Sequence, residues 1–336
     1  MNSRERVIRT LRFEEVDRVP RQLWALPGVQ TYRKQEIEEL LEKYPEDFAW
    51  PVHKYGIGRR CKGIMGNMGE YIDAWGSKWH VGEPGVAGEV KEFPIADWSS
   101  LDSYELPWEL LDEADLSQVN KSCAETDKFV LAGTDTRPFE RMQFLRGTEN
   151  LLVDLALGEP EVFRLRDRLQ EFYIREIKMW AETDVDAVQF MDDWGSQRSL
   201  LISPALWRQF YKPLYKEYCD ILHSKGKFVF FHSDGNIESI YPDLIEIGIN
   251  AVNSQLFCMD MEKLGELYSG KITFWGEMDR QKILPFGTVE DARNAVKRVS
   301  AALMKNKRTG VIAQLEWGVK DPKENIEAAY DEWNRV

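Results

Sequence analysis

Six short apolar runs, at residues 128–132, 186–191, 227–231, 250–253, 272–275 and 311–315, each stop abruptly at polar residues. The last four stops read His232-Ser233-Asp234-Gly235, Asn253-Ser254-Gln255, Gly276-Glu277-Met278-Asp279 and Gln314-Leu315-Glu316. Continuous β-branched or aromatic runs, without polar alternation, predict strands buried on both faces, as in a parallel sheet. Helical patterns lie between them. Ser203-Pro204 supplies an N-cap and a first-turn proline to an amphipathic stretch closed by Gly226, and Thr288 with Asp291 opens a helix leading to Lys305. Such alternation implies right-handed crossovers. With further strands near Val19 and Phe48, the pattern predicts an α/β fold of the (β/α)8 TIM-barrel type, spanning 1–336 as one domain. The alternative, a doubly wound open sheet, normally carries a glycine-rich phosphate loop, and neither GxGxxG nor GxxxxGK[ST] stands at a strand-to-helix junction here.

The N-terminal part reads differently. Helices are expected over 3–12 and 34–44, the second with Ile37, Leu40 and Leu41 on its apolar side. From about 51 to 120, glycines interrupt polar and aromatic stretches such as Trp75-Gly76-Ser77-Lys78-Trp79-His80, which predicts hairpins and an N-terminal helical and β-rich insertion or cap over the barrel. Its aromatic residues either wall a flat substrate site or make a core of the cap's own.

Composition narrows the function classes. With 43% hydrophobic and 12% aromatic residues the chain can bury a sizeable core. A formal net charge of -13 argues against a nucleic-acid surface, which needs clustered lysine and arginine. No apolar stretch reaches the roughly 20 residues of a membrane span, and Met1-Asn2-Ser3-Arg4-Glu5 runs straight into an amphipathic helix, so the expected location is cytoplasmic. Four cysteines, Cys61, Cys123, Cys219 and Cys258, form no CxxC pair and predict no disulfide framework. Cys219 reads as a small buried hydrophobe; Cys258 sits near a strand end, where it either faces the mouth or packs.

In a parallel barrel the residues just past the strand ends line the active site. His232 is one of only four histidines and directly follows Phe228-Val229-Phe230-Phe231. Asp234 stands two residues on, and alternate side chains at a strand end approach one another around a metal. Glu277 and Glu316 end the last two strands, which makes His232, Asp234, Glu277 and Glu316 a candidate zinc set. The competing reading has Asp234 capping a helix that starts near Asn236 and His232 in a structural hydrogen bond. Asp192 and Asp193 follow another strand; as neighbours they face opposite ways, so one orients the site while the other bonds loop backbone. His232, Asp192, Asp193 and Glu277 are the catalytic candidates. Asp135, Arg137, Glu140 and Arg141 form either a cradle for an anionic substrate, with Arg137 its contact, or structural ion pairs. Gln255, Trp194, Trp275 and Trp317 are the remaining candidates for substrate contact, the tryptophans as apolar walls or as barrel packing.

Asn2-Ser3-Arg4-Glu5-Arg6-Val7, Asp17-Arg18-Val19-Pro20, Asp192-Asp193-Trp194-Gly195-Ser196-Gln197, Leu201-Ile202-Ser203-Pro204, His232-Ser233-Asp234-Gly235-Asn236, Pro242-Asp243-Leu244-Ile245 and Phe274-Trp275-Gly276-Glu277-Met278-Asp279 together resemble the uroporphyrinogen decarboxylase superfamily, across nearly the whole chain. Within it the chain is similar to the corrinoid-dependent methyltransferase branch, which includes the methylcobamide:coenzyme M methyltransferases. That resemblance implies a TIM barrel, zinc at the mouth, and a methyl group passed to or from the cobalt of a corrinoid, or cobalamin, carried on a partner protein. Two departures stand out. The decarboxylases bind a polycarboxylate macrocycle through an arginine-rich segment after the first strand, whereas here that stretch reads Val19-Pro20-Arg21-Gln22-Leu23-Trp24-Ala25-Leu26-Pro27-Gly28, with a single arginine. Thiol-methylating members hold zinc with a His-x-Cys pair and a later cysteine, whereas the matching positions here are His232, Asp234 and, near the last strand, Glu316. Imidazole and oxygen ligands make a harder metal site, suited to a Lewis acid on an ether or phenolate oxygen. The expectation is therefore demethylation of a small methylated substrate, plausibly a methoxyaromatic. A decarboxylase acting on another carboxylic acid and a non-catalytic barrel that holds a small ligand are the alternatives.

Overall fold

A computed structural model of the chain describes residues 1–83, 86, 88–304 and 309–336; Lys305, the expected end of the helix opened by Thr288, lies outside the described residues. The strands are β1 (Arg21–Ala25), β2 (Phe48–Ala49), β3 (Gly69–Ile72), β4 (Lys78–Val81), β5 (Glu89–Glu92), β6 (Phe129–Gly133), β7 (Ala187–Met191), β8 (Phe228–Ser233), β9 (Ala251–Ser254), β10 (Thr273–Trp275) and β11 (Val311–Trp317). Eight of them form one parallel sheet in the order β1-β11-β10-β9-β8-β7-β6-β2, with helices between, which is the (β/α)8 TIM barrel. All six apolar runs are strands, and the two expected further strands are β1 and β2. Ser203 caps its helix by accepting from the Leu206 N–H, and Thr288 and Asp291 form a reciprocal capping box. Among the described residues no helix is long and apolar enough to cross a membrane.

Between β2 and β6 the chain makes the insertion. β3, β4 and β5 pair antiparallel as a small separate sheet. Its aromatic residues fasten it to the barrel's helices: Trp75 packs on Phe172 of the long helix Pro160–Ala181 at 4.8 Å, and Trp79 on Phe144 at 4.8 Å.

Side-chain alternation divides the barrel strands into two layers. The outer layer packs under the helices. The inner one, including Phe48, Phe129, Phe230, Trp275 and Ile312, is plugged at the N-terminal end by Val7 and Leu11 of the first helix, Ser3–Leu11. The opposite end is the mouth.

β2 is only two residues long, and carboxylates complete its junction with β1. Asp47 N–H donates to the Arg21 carbonyl at 3.0 Å, the Asp47 side chain accepts from the Arg21 N–H at 2.8 Å, and Glu46 accepts from the Leu23 N–H at 2.7 Å. Asp47 is fully buried, so its charge requires partners. Arg6 donates to it at 2.6 Å and Arg18 at 2.7 and 2.9 Å, while Arg6 also holds Asp17 at 2.6 and 2.8 Å. The Arg6 and Asp17-Arg18 motif residues are thus the electrostatic clasp of the seam.

A second structural carboxylate is Asp192. It points outward from the barrel and accepts the N–H groups of Phe139 at 2.8 Å and Glu140 at 2.7 Å, in the first turn of the helix Pro138–Arg146, and the Tyr215 hydroxyl at 2.6 Å. Burial pushes its carboxyl up to about 7, against the three donors that favour the ionised form.

Two outcomes test these roles. Asp47→Ala leaves Arg6 and Arg18 without their buried acceptor, and removing one partner of such a pair costs about 3–5 kcal/mol, to be read as a lowered urea midpoint. Asp192→Ala orphans two helix N–H groups and a tyrosine hydroxyl, an expected loss of about 2–4 kcal/mol in the same measurement, whereas the half-buried neighbour's Asp193→Ala leaves the midpoint within about 1 kcal/mol.

Candidate active site

The loops after β7 and β8 interlock. Gly195 N–H donates to the Asp234 carbonyl at 3.0 Å and Asn236 N–H to the Ser196 carbonyl at 2.8 Å. A Cβ on Gly195 would meet the Gly235 carbonyl carbon at 2.5 Å, and Gly235 itself has φ of +79°, so both positions require glycine. This contact draws Asp193 to Asp234, whose N–H it accepts at 2.9 Å. Asp193 continues the inward alternation of Gln189 and Met191, which explains why it, and not Asp192, faces the mouth.

His232 ends β8 on the inner face. Its Nδ1 lies 2.7 Å from Asn253 Oδ1, and Asn253 is itself oriented, because its amide donates to the Trp275 carbonyl at 2.5 Å and to Gln314 Oε1 at 2.9 Å. With both amide hydrogens engaged, the oxygen can only accept, so His232 carries its proton on Nδ1 and turns the lone pair of Nε2 outward. That nitrogen faces Asp193 Oδ1 at 3.6 Å and Asp234 Oδ1 at 3.7 Å. Asp234 Oδ1 is buried and accepts no hydrogen bond among the described residues. One ligand atom from each of Asp193, His232 and Asp234 lies within 4.8 Å of the others. Three acceptors pointed at one another are mutually repulsive until a cation or a proton stands between them. The donor set, one imidazole and two carboxylates with room for a further ligand, fits a divalent ion such as zinc.

Glu277 and Glu316 are gathered by a different cation. Arg280 donates to Glu316 at 2.6 Å, approaches Glu277 at 3.3 Å and bonds the Asp234 Oδ2, the oxygen turned away from the histidine. Burial pushes the Glu277 carboxyl well above its usual range, against the pull of Arg280. Asp234 therefore bridges the two groups, one oxygen toward Arg280 and one toward His232.

The remaining candidates are dispersed. Trp194 is fully buried outside the strand layer, stacked on Phe139 at 4.0 Å. Trp317 also faces outward, beneath Arg33 at 4.7 Å. Trp275 points inward, below the histidine, and donates to Gln22 Oε1 at 2.7 Å. Gln255 lines a side cleft with Gln197, Cys258, Glu277 and Arg280. Cys258 shares that cleft, its thiol pushed up to about 11 by burial. Asp234 caps no helix; Asn236 serves the following turn by accepting from the Glu238 N–H at 3.2 Å. Arg137 and Glu140 stand at the mouth beside the ends of β6 and β7. Three residues of the site lie outside the candidate set: Trp24, whose ring packs on His232 at 5.4 Å, Asn253 and Arg280. Alternation along β1 from Gln22 is a signal that points to Trp24, and Asn253 stands at a strand end, but Arg280 reaches back from a loop and has no such signature.

The uroporphyrinogen decarboxylase (URO-D) family profile matches residues 72–335. In structure the chain is similar to a methyltransferase from Methanosarcina mazei, with a TM-score of 0.71 and 15% identity over 100% of this chain and 99% of that one. A glycosylated endo-beta-1,4-xylanase from Gloeophyllum trabeum has a TM-score of 0.45 and 8% identity over 97% of this chain and 99% of that one. No curated protein matches the chain in sequence. Since residues 72–335 make up well over half of the 336, the chain belongs to the uroporphyrinogen decarboxylase family.

Proposed function

We propose that the protein is a corrinoid-dependent methyltransferase that moves a methyl group between a small methylated substrate, a methoxyaromatic, and the cobalt of a corrinoid held by a partner protein. The observation that carries this reading is the convergence of His232 Nε2, Asp193 and Asp234 Oδ1 at the mouth, a hard ligand set where an ether oxygen needs a Lewis acid. The family and the full-length fold likeness to a methyltransferase support it. The polycarboxylate alternative lacks its cradle: the one arginine of the β1 segment, Arg21, is buried and donates to Asn334.

A reduced corrinoid on the partner would supply the nucleophile toward the methyl carbon, and a divalent ion would supply charge stabilisation at the ether oxygen. His232, Asp193 and Asp234 would hold that ion, and Asn253 fixes the imidazole that would bind it. Glu277 and Glu316 surround Arg280 and become ligands only by releasing it. Burial favours the protonated form of Glu277, which makes it the candidate donor of the proton that a leaving phenolate would need. The rim matches a macrocycle presented from outside. Leu26, Trp50 and Val319 are exposed on the loops past β1, β2 and β11, and Trp50 lies over Gly133 at the end of β6.

Metal analysis of protein purified without chelator should find near-stoichiometric divalent ion, lost from His232→Ala, Asp193→Ala and Asp234→Ala but retained in Glu316→Ala; Asn253→Ala should weaken affinity about 10–100-fold. Metal-free wild type after incubation with excess zinc would sink the ligand assignment. For the reaction, protein with cob(I)alamin or a corrinoid protein and a panel of methoxylated aromatics should develop methyl-cobalt absorbance, at least about a hundredfold slower in His232→Ala. Carbon dioxide release without need of a corrinoid would instead support the decarboxylase, and tight retention without turnover the binding barrel.

A further inference from the structure

Arg280 spends its three nitrogens on three different acids. Nη1 donates to Glu316 at 2.6 Å, Nη2 donates to Asp234 Oδ2, and Nε lies 3.3 Å from Glu277. The loop that carries it is braced on both sides. Asp279 accepts the N–H groups of Gln281 and Lys282, each at 2.9 Å, and the Gln281 amide donates to Gln197 Oε1, in the loop after β7, at 2.9 Å. The guanidinium is therefore fixed over the mouth rather than tethered to one partner.

Each of these contacts withholds an oxygen from His232. A carboxylate can take a metal through one oxygen or both, and Arg280 leaves Asp234 only Oδ1, which faces the imidazole at 3.7 Å. Glu316 is the register partner of Trp24, the residue packed on His232, yet its carboxylate is turned to the arginine. Glu277 stands close enough to Asp234 and Glu316 for their charges to oppose its ionisation. Five residues at the mouth could thus serve as ligands, and Arg280 occupies two of them and one oxygen of a third.

We propose that Arg280 is a positioning residue that selects the metal and keeps its site open: by holding Glu277, Glu316 and Asp234 Oδ2, it restricts the protein ligands to His232 Nε2, Asp193 and Asp234 Oδ1. The inference rests on the reading of those three residues as metal ligands. A small set with open positions suits zinc, and an open position is what a Lewis acid needs in order to meet a substrate oxygen. Released from Arg280, the glutamates would fill those positions with carboxylate oxygens, the octahedral environment that manganese and magnesium prefer. A lysine is no substitute, because its ammonium presents every donor from one atom, whereas the guanidinium reaches the three acids from three.

The test loads chelator-treated, full-length protein with zinc, manganese or cobalt(II), reading affinity by calorimetry and geometry by the visible absorption of cobalt(II). The variants are Arg280→Met, Arg280→Lys, and Arg280→Met combined with Glu277→Gln and Glu316→Gln; circular dichroism and melting temperature establish folding, and Arg280→Lys, which keeps the charge, serves if Arg280→Met does not fold. Wild type should bind zinc ahead of manganese and show the intense absorption of low-coordinate cobalt(II). Arg280→Met and Arg280→Lys should each narrow the zinc preference about tenfold or more and show the weak absorption of octahedral cobalt(II), and the combined variant should restore both. Wild-type preference and absorption in either single variant overturn the proposal. So do a uniform gain in affinity for every ion with unchanged absorption, which is the effect of charge alone, and an altered absorption that persists in the combined variant. Wild type that takes up neither zinc nor cobalt(II) removes the ligand assignment and this proposal with it. The expected dependence on Arg280 with no methyl-cobalt formed leaves the proposal standing and removes only the methyl-transfer reading.

Discussion

The barrel depends on a carboxylate standing where a strand ladder runs out. Each strand of a closed parallel barrel needs hydrogen-bonding neighbours on both sides, and β2 brings only two residues to the task. Glu46 and Asp47 extend its reach by accepting backbone N–H groups of β1 through their side chains. Closing the seam in this way places a negative charge in the interior, and the charge in turn dictates the N-terminus: Arg6 must lie across the seam to meet it. That position seats the first helix over the barrel's end, where Val7 and Leu11 fill the space between the strands. The plug and the seam are therefore one arrangement, and they leave the mouth as the open end. β1, held in register with β11, then sets Trp24 opposite Glu316 and against His232.

Above the aromatic layer the interior turns polar. Barrels usually fill this level with branched aliphatic side chains, but here Gln22, Asn253 and Gln314 occupy it. Gln314 accepts from Asn253, and Gln22 accepts from Trp275, whose carbonyl takes the other Asn253 hydrogen. An amide network of this kind has little freedom, because each bond decides the direction of the next. Its output is the tautomer of a single imidazole. The polar layer is thus best understood as the support of His232, the residue through which the strands and the loop carboxylates communicate.

Much of this architecture was legible because barrel strands announce themselves. The runs ending at Met191, Phe231 and Asn253 carry no alternation, so their burial on both faces is written in the residues, and β8 duly delivers His232 to the mouth. The same property hides which face each residue takes. Trp194 and Trp317 are as apolar as Trp24, yet only Trp24 meets the histidine, since direction depends on counting alternation from a residue already known to face inward. Asp192 and Asp193 illustrate the cost of lacking that anchor. Loop geometry was less accessible still. Arg280 closes a contact between side chains 46 and 36 positions away, and no local pattern foretells it. Arg6 and Asp17-Arg18 were conspicuous as motif residues, but their meaning required seeing Asp47.

Charge gives the site its final constraint. Asp193, Asp234, Glu277 and Glu316 contribute four formal negative charges to the mouth, and Arg280 offsets one. The remaining three strongly oppose one another in a partly desolvated cavity. A proton on Glu277, which burial already favours, removes one of them. A divalent ion among His232, Asp193 and Asp234 would offset the other two. With both in place, these four carboxylates and Arg280 would carry no net charge beside Trp24. The carboxylates and Arg280 therefore belong together: each carboxylate placed at the mouth requires a fixed positive charge, a proton or a cation nearby.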